Sequence, residues 1–457
     1  MNSHSCCQQN RYFHQWIAYR LLLAAVLMLI LPHRNAAASD PTRNLPVSIQ
    51  ILLNEVREAM HQKDYPGAVR KIIAFQQKEA PHTDDAAATK VCCHPVVCYA
   101  LGNCYLLQSD YAHAEAAYRK ALETVPDYLD VQVNLAKTYC EMERYREAAD
   151  YFQKAYTVSD PKHPDYLYYS AVSCLMGNHH APAITKFKTL FQTHPDAVTV
   201  PWKENYAHAL LSAGHLEKAV PIIIQLTGET IGEKKIHWQE ILLQTYLQMK
   251  QTDRALSYAT QLARTDCLVD KWWKALTHIH LTLEKYRHAL ADLTILGYLK
   301  PLTRDERKLW ADLCLQLEIP DKAAPVYENL LTDPADQVTD KQLMQRLVAA
   351  YRQLDMSETA VERIDRFFPD NNDPELLMLK GDLLYTLKRF KDADITYRRA
   401  ARKNSQRAGQ AWLMAGYAAW QQNDVTASRK AFEQAARFKR QRKDAMTAMA
   451  QLEKRIN

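Results

Sequence analysis

The densest group of side chains capable of chemistry is Cys92-Cys93-His94-x-x-x-Cys98. Thiolate and imidazole are the donors of zinc and copper sites, but such sites draw them from separated pairs so that the ligands can surround the ion. This run has neither C-x-x-C spacing nor the C-x-x-C-H of a haem attachment, so a redox or metal-handling role for Cys92 and Cys93 rests on composition alone. A local or exchangeable disulfide and plain unpaired thiols are the other readings of the pair. His179-His180, and His278 with His280 near Trp272 and Trp273, lack an acid at H-E-x-x-H spacing and read as solvated or packed imidazoles. Only 10 residues are glycine and no two stand as G-x-G, which leaves nowhere to build a phosphate-cradling turn of the Rossmann or P-loop kind. No G-x-S-x-G, EF-hand loop or deaminase signature occurs, and the carboxylates are spread over helix faces, where they serve solvation. The expectation is a protein without enzymatic activity, with no catalytic residue, no cofactor and no metal ligand.

The elements that carry these residues follow one period. An alanine recurs at Ala68, Ala114, Ala148, Ala183, Ala219, Ala255, Ala289, Ala323, Ala360 and Ala393, with Ser428 in the last place. After a first gap of 46 the spacings run 34, 35, 36, 36, 34, 34, 37, 33 and 35, the length of a two-helix unit. Within a unit the apolar positions fall three and four apart, as in Leu101, Gly102 and Tyr105, then Ala114, Tyr118 and Ala121, so each of two short helices carries one apolar stripe. A small residue marks the close helix crossing in eight of eleven units: Gly102, Ala136, Ala171, Ala207, Thr277, Ala311, Gly381 and Gly416. Val56, Leu243 and Val348 break that rule, and wider helix separation is expected there, because added methylenes at a tight crossing cost roughly 1 to 3 kcal/mol. Tyr65, Tyr111, Tyr145, Tyr286 and Phe390 each lie three residues before the alanine of the second helix, where the turn ends. No strand pattern is present. Residues 76 to 94 lengthen the first spacing by about a dozen residues, long for a connection between packed helices, and read as a loop or a helix extension.

Residues 1 to 38 stand apart from this pattern. They hold Arg11, Arg20 and Arg34, no acid, and the apolar run Leu21 to Leu31 ahead of Ala36-Ala37-Ala38. Eleven apolar residues suit a cleaved export signal and fall short of the ~20 a transmembrane helix needs. An uncleaved N-terminal anchor is the alternative. No other stretch is apolar enough to span a bilayer. The remaining 55 basic and 52 acidic residues nearly balance, which speaks against nucleic acid as a partner. The stretch Arg437 to Asn457 is markedly basic and reads either as a solvated terminal cap or as a peripheral contact with anionic lipid or an acidic partner. Eight cysteines follow residue 38, of which Cys98, Cys104, Cys174 and Cys314 fall at apolar first-helix positions and read as packing.

The frame Leu101-Gly102-x-x-Tyr105, Ala114-x-x-x-Tyr118-x-x-Ala121, Pro126, repeated as Leu135-Ala136-x-x-Tyr139, Ala148-x-x-x-Phe152-x-x-Ala155, Pro161, resembles tetratricopeptide repeats. The resemblance implies an all-α solenoid, a right-handed superhelix of about eleven helix-turn-helix units. Its parts would be a signal at 1–38, a first hairpin with its insert at 39–93, the solenoid at 94–442 and a basic capping helix at 443–457. It also implies a concave groove lined by the first helix of each unit, and so a protein partner held there as a peptide or helix. The groove places include Tyr99, Asn103, Leu106 and Leu107, then Tyr168, Leu175 and Met176, and near the end Met378, Tyr385, Leu413, Tyr417 and Trp420. Between these aromatic patches the groove turns polar with Lys137, His208, Gln244, Lys274, His278, Lys308 and Asp312. Family members that clamp a C-terminal carboxylate use asparagines that Asn103 and Asn134 match, but Tyr99, Asp165 and Tyr169 stand where the basic partners belong. An aspartate there repels a carboxylate.

A narrower resemblance lies in Leu309 to Leu331, with its E-I-P-D-K-A-A, and in Ala411 to Leu452, with its A-A-R-F-K-R-Q-R-K. Both are similar to exported repeat proteins that accompany TonB, ExbB and ExbD energy-transduction systems. That resemblance implies a periplasmic adaptor supporting active uptake. Assembly factors for polysaccharide export, outer-membrane insertion or cytochrome maturation are the alternative class.

Overall fold

A computed structural model describes residues 41, 45–78, 93–332, 340–369, 372–403 and 406–456. The expected signal at 1–38, Cys92 and most of the insert after the first hairpin lie outside the described residues. The chain falls into two compact units, one up to Met249 and one from Lys250 on.

In the first unit the helices are α1 Val47–His61, α2 Tyr65–Lys78, α3 Pro95–Leu107, α4 Tyr111–Thr124, α5 Leu129–Glu141, α6 Tyr145–Val158, α7 Pro164–Met176, α8 His180–Thr193, α9 Val200–Ser212, α10 Leu216–Glu229 and α11 Gly232–Gln248. In the second they are α12 Thr252–Thr265, α13 Asp270–Thr282, α14 Tyr286–Leu299, α15 Arg304–Gln316, α16 Pro320–Leu331, α17 Lys341–Gln353, α18 Ser357–Phe367, α19 Pro374–Thr386, α20 Phe390–Ala401, α21 Ala408–Gln421, α22 Val425–Ala436 and α23 Arg442–Ile456. No strand occurs among the described residues. Within each unit a helix packs on the next one in the chain, and first helices of successive pairs also touch, as α1 with α3, α3 with α5, and α7 with α9. The fold is an all-α solenoid, and within each unit the odd-numbered helices form one layer.

The turn inside each pair explains why the period is so regular. Five residues before the recurring alanine the backbone turns left-handed, at Lys63, Ser109, Glu143, Asn178, Gly214, Lys250, Glu284, Glu318, Asp355, Lys388 and Asn423. The next residue donates its N–H to the carbonyl five places back, as Asp110 to Tyr105 at 2.9 Å, Arg144 to Tyr139 at 2.8 Å and Arg389 to Leu384 at 2.9 Å. This is the Schellman closure of a helix C-terminus, and it hands the chain straight to the N-terminus of the second helix. Aspartate caps that start where it can: Asp64 accepts from Gly67 N–H at 2.8 Å and Asp424 from Ala427 N–H at 2.9 Å. Only Gly214 among the eleven turn residues is glycine, and a left-handed φ costs other residues about 1 kcal/mol. Ser109→Gly should therefore raise stability and Gly214→Ala lower it, each by about 0.5 to 1 kcal/mol in urea unfolding. No heavy atom lies within 4 Å of the Cβ that alanine would add at Gly214, so its effect isolates the backbone term.

The crossing of the two helices sets the packing. A Cβ added at Gly102 would stand 2.4 Å from the Tyr118 ring, at Gly381 2.5 Å from Tyr397, and at Gly416 2.4 Å from Phe432. The aromatic ring sixteen residues on thus fills the space a first-helix side chain would need. At Val56 and Val348 the residue sixteen on is Ile72 and Ile364, so an aliphatic pair shares the core in place of a glycine and a ring.

Candidate functional site

The groove residues expected on α3 gather with neighbours from α4 and α5. Asn103 Oδ1 accepts from Tyr118 Oη at 2.6 Å and from Asn134 Nδ2 at 2.9 Å. Asn134 Nδ2 also reaches Tyr99 Oη at 3.3 Å, and Lys137 Nζ lies 3.5 Å from Asn134 Oδ1. Tyr99 packs against Tyr128, ring centroids 5.4 Å apart. Burial, with the Asp130 carboxylate nearby, pushes the Tyr99 phenol up to about 12, and burial lowers the Lys137 ammonium against the opposing pull of Asp130. The two asparagines that match a carboxylate clamp are therefore spent largely on each other and on tyrosines. Leu106 and Leu107 close this face half-buried. Asn103→Ala would leave Tyr118 Oη and Asn134 Nδ2 without this acceptor, and a cost of about 1 to 3 kcal/mol is expected in chemical denaturation.

On α7, Tyr168 stacks on Trp202 with centroids 4.8 Å apart and planes at 14°, and its hydroxyl accepts from Asn205 Nδ2 at 2.7 Å. Leu175 and Met176 are not groove residues. They are 5% and 8% exposed and belong to the core around Phe187, Leu190 and Trp202, because α7 is enclosed by the helices on either side of it. Met378 on α19 likewise belongs to the core, at 2% exposure beside Leu347 and Tyr397, and does not face a groove. Tyr385 and Leu413 remain half-buried. Tyr417 and Trp420 lie nearly parallel, at 12° and 6.4 Å, and both meet Phe432 edge-on. They thus finish the core of the last helices while leaving part of each ring accessible.

Among the polar places of the first helices, one imidazole is strongly perturbed. His208 on α9 lies against Trp238 of α11, centroids 5.1 Å apart, and burial followed by the neighbouring His237 lowers its pKa to about 4. Glu204 is 7% exposed and accepts from Lys234 Nζ at 3.1 Å. In the second unit Lys274 bonds Glu306 at 3.0 Å and Lys341 bonds Asp373 at 3.1 Å, each tying one first helix to the next. His280, which had no acid partner by local spacing, has one in space: Asp292 on α14, with Nδ1 2.6 Å from Oδ2. Another arrangement missed in sequence is the tyrosine that reaches back to the residue after the small crossing position. It occurs as Tyr118 to Asn103, Tyr327 to Asp312 at 2.6 Å and Tyr397 to Asp382 at 2.8 Å. A small residue followed by Asn or Asp, with tyrosine fifteen places on, was the available signal.

The thiols divide by environment. Burial raises Cys104 to about 12 and Cys140 and Cys314 to about 11. His94 is the N-cap of α3, its Nδ1 accepting from Val96 N–H, and no group of three or more His, Cys, Asp or Glu able to hold a metal exists among the described residues. Since the thiolate is the reactive form, exposed Cys267 should be alkylated in the native state at least about tenfold faster than Cys104 or Cys314, as peptide mass mapping would show.

Two tetratricopeptide repeat family models match, one at residues 95–128 and the other at 133–197 and again at 378–444. These spans coincide with the helix pairs, left-handed turns and small crossing residues described above. The chain carries tetratricopeptide repeats at these positions. No curated protein sequence matches it. Among solved structures, the Naa15/Naa10 complex bound to HypK-THB is similar at 14% identity and a TM-score of 0.47, over 89% of this chain and 66% of that one. A tetratricopeptide repeat protein from Parabacteroides merdae is similar at 13% identity and 0.33, over 67% of this chain and 99% of that one. Yeast Tom70 is similar at 14% identity and 0.29, over 88% and 94%.

Proposed function

We propose that this protein is an exported, non-enzymatic scaffold that holds a segment of an envelope protein against its first-helix layer. The observation that carries the reading is the set of half-buried aromatic and aliphatic side chains on that layer. Tyr99, Leu106, Leu107 and Tyr168 stand in the first unit, and Tyr385, Leu413, Tyr417 and Trp420 in the second. Anchors of this type dominate binding energy where a helix or extended peptide lies in a groove. Export is supported by the leader-like residues 1–38, and retention by an uncleaved leader remains the alternative. The favoured client is the TonB, ExbB and ExbD machinery, supported by the resemblance of Leu309–Leu331 and Ala411–Leu452. In vivo crosslinking followed by affinity capture of the tagged chain tests it. Recovery of TonB or ExbB–ExbD is the expected result. Recovery of a polysaccharide-export, outer-membrane insertion or cytochrome-maturation complex instead would keep the scaffold and replace the client.

A further inference from the structure

The last two inter-repeat turns of the second unit are rich in basic residues. Arg402, Lys403 and Arg407 lie between α20 and α21, and Arg437, Lys439 and Arg440 between α22 and α23, all exposed. None of the six forms an ion pair among the described residues. Arg407 is near enough to lower the Glu375 carboxyl, yet that carboxylate is already held by Lys341 at 2.5 Å. The flanking acids Glu433 and Asp444 form no ion pair with any of the six among the described residues. One contact brings the two turns together: a Cβ at buried Gly409 would stand 2.7 Å from Cβ and Cγ of Phe438, so the Phe438 side chain lies directly on the backbone at the start of α21. Six like charges therefore share one edge of the unit, where their mutual repulsion works against the fold.

Phe438, at 37% exposure, stands in the second of these turns, and Met446, at 57%, lies in the first turns of α23 that follow it. We propose that this edge docks on an anionic lipid bilayer, with the cations on headgroup phosphates and Phe438 and Met446 entering the interface. A bilayer satisfies both features, since basic residues gain from anionic headgroups while exposed apolar groups gain from the acyl boundary. The edge lies at helix ends, apart from the first-helix layer, so lipid and protein partner would use different surfaces.

The test is co-sedimentation of the purified chain with vesicles of phosphatidylglycerol in phosphatidylcholine, against phosphatidylcholine alone. At least about tenfold preference for the anionic vesicles is expected, weakening with added salt. Lys439→Glu with Arg440→Glu should remove most of that preference, and Met446→Ser should weaken binding about threefold. Lys188→Glu with Lys218→Glu, exposed residues of the first unit, should leave binding unchanged. Thermal melts by circular dichroism confirm that each variant is folded. Equal binding to both vesicle types, or an equal loss in the Lys188/Lys218 control, would overturn the proposal. So would retention of duplex DNA or polyglutamate by this edge without retention of anionic vesicles.

Discussion

Gly381→Val should lower the unfolding free energy by about 3 kcal/mol, at the upper end of what overpacking costs. Even the first added carbon would lie 2.5 Å from the Tyr397 ring, and valine adds two more. The ring cannot swing aside cheaply, because its hydroxyl is bonded to Asp382 at 2.8 Å and its side chain is fully buried. The preceding pair of helices shows how the same crossing accommodates valine: Val348 occupies the place of Gly381, and Ile364 the place of Tyr397. Combining Gly381→Val with Tyr397→Ile should therefore recover more than half of the loss, a coupling that a double-mutant cycle in urea measures directly. Additive losses would mean that the glycine is required for some reason other than the ring opposite it. Since a repeat unit contacts only its neighbours, hydrogen exchange in the single variant should rise most in α19 to α22.

The second large effect is acid destabilisation through His208. Its pKa is about 4 in the fold, against about 6.5 for a free imidazole, so between these values the unfolded chain binds the proton and the folded chain does not. Stability is then complete above about pH 6.5 and is lost as pH falls toward 4, by about 2 kcal/mol once partial solvent access is allowed for. His208→Gln removes the titrating group while keeping a polar side chain beside Trp238. The difference in unfolding free energy between the wild type and this variant should shrink steadily from pH 7 to pH 4.5. A pH-independent difference would show that His208 is not the group that titrates.

Much of the fold was legible because it depends on a period. The recurring alanine, replaced by Ser428 in the last unit, marks the second helix of each pair, and its spacing is reproduced residue for residue by the left-handed turn positions five places earlier. Crossing residues such as Gly102 and Gly416 were also readable, since a missing side chain implies something close, although the sequence alone did not name Tyr118 or Phe432 as the cause. The candidate site was read less well. Periodicity says that a residue lies on a first helix, but whether it faces the groove depends on how tightly neighbouring helices enclose that helix. This is why Leu175, Met176 and Met378 belong to the core while Leu107 and Leu413 stay accessible. Pairings between helices, such as His280 with Asp292 and the meeting of Gly409 with Phe438, join residues that no local motif connects.

The most direct test of the scaffold reading places a photoactivatable crosslinking residue at Leu107 or Leu413 on the first-helix layer, and in parallel at Thr189 on the exposed side of α8. Irradiation in cells, followed by mass spectrometry of the adducts, reports which face meets a partner. Adducts to one envelope protein from Leu107 or Leu413, and none from Thr189, are the predicted result. Adducts from Thr189 alone would contradict it.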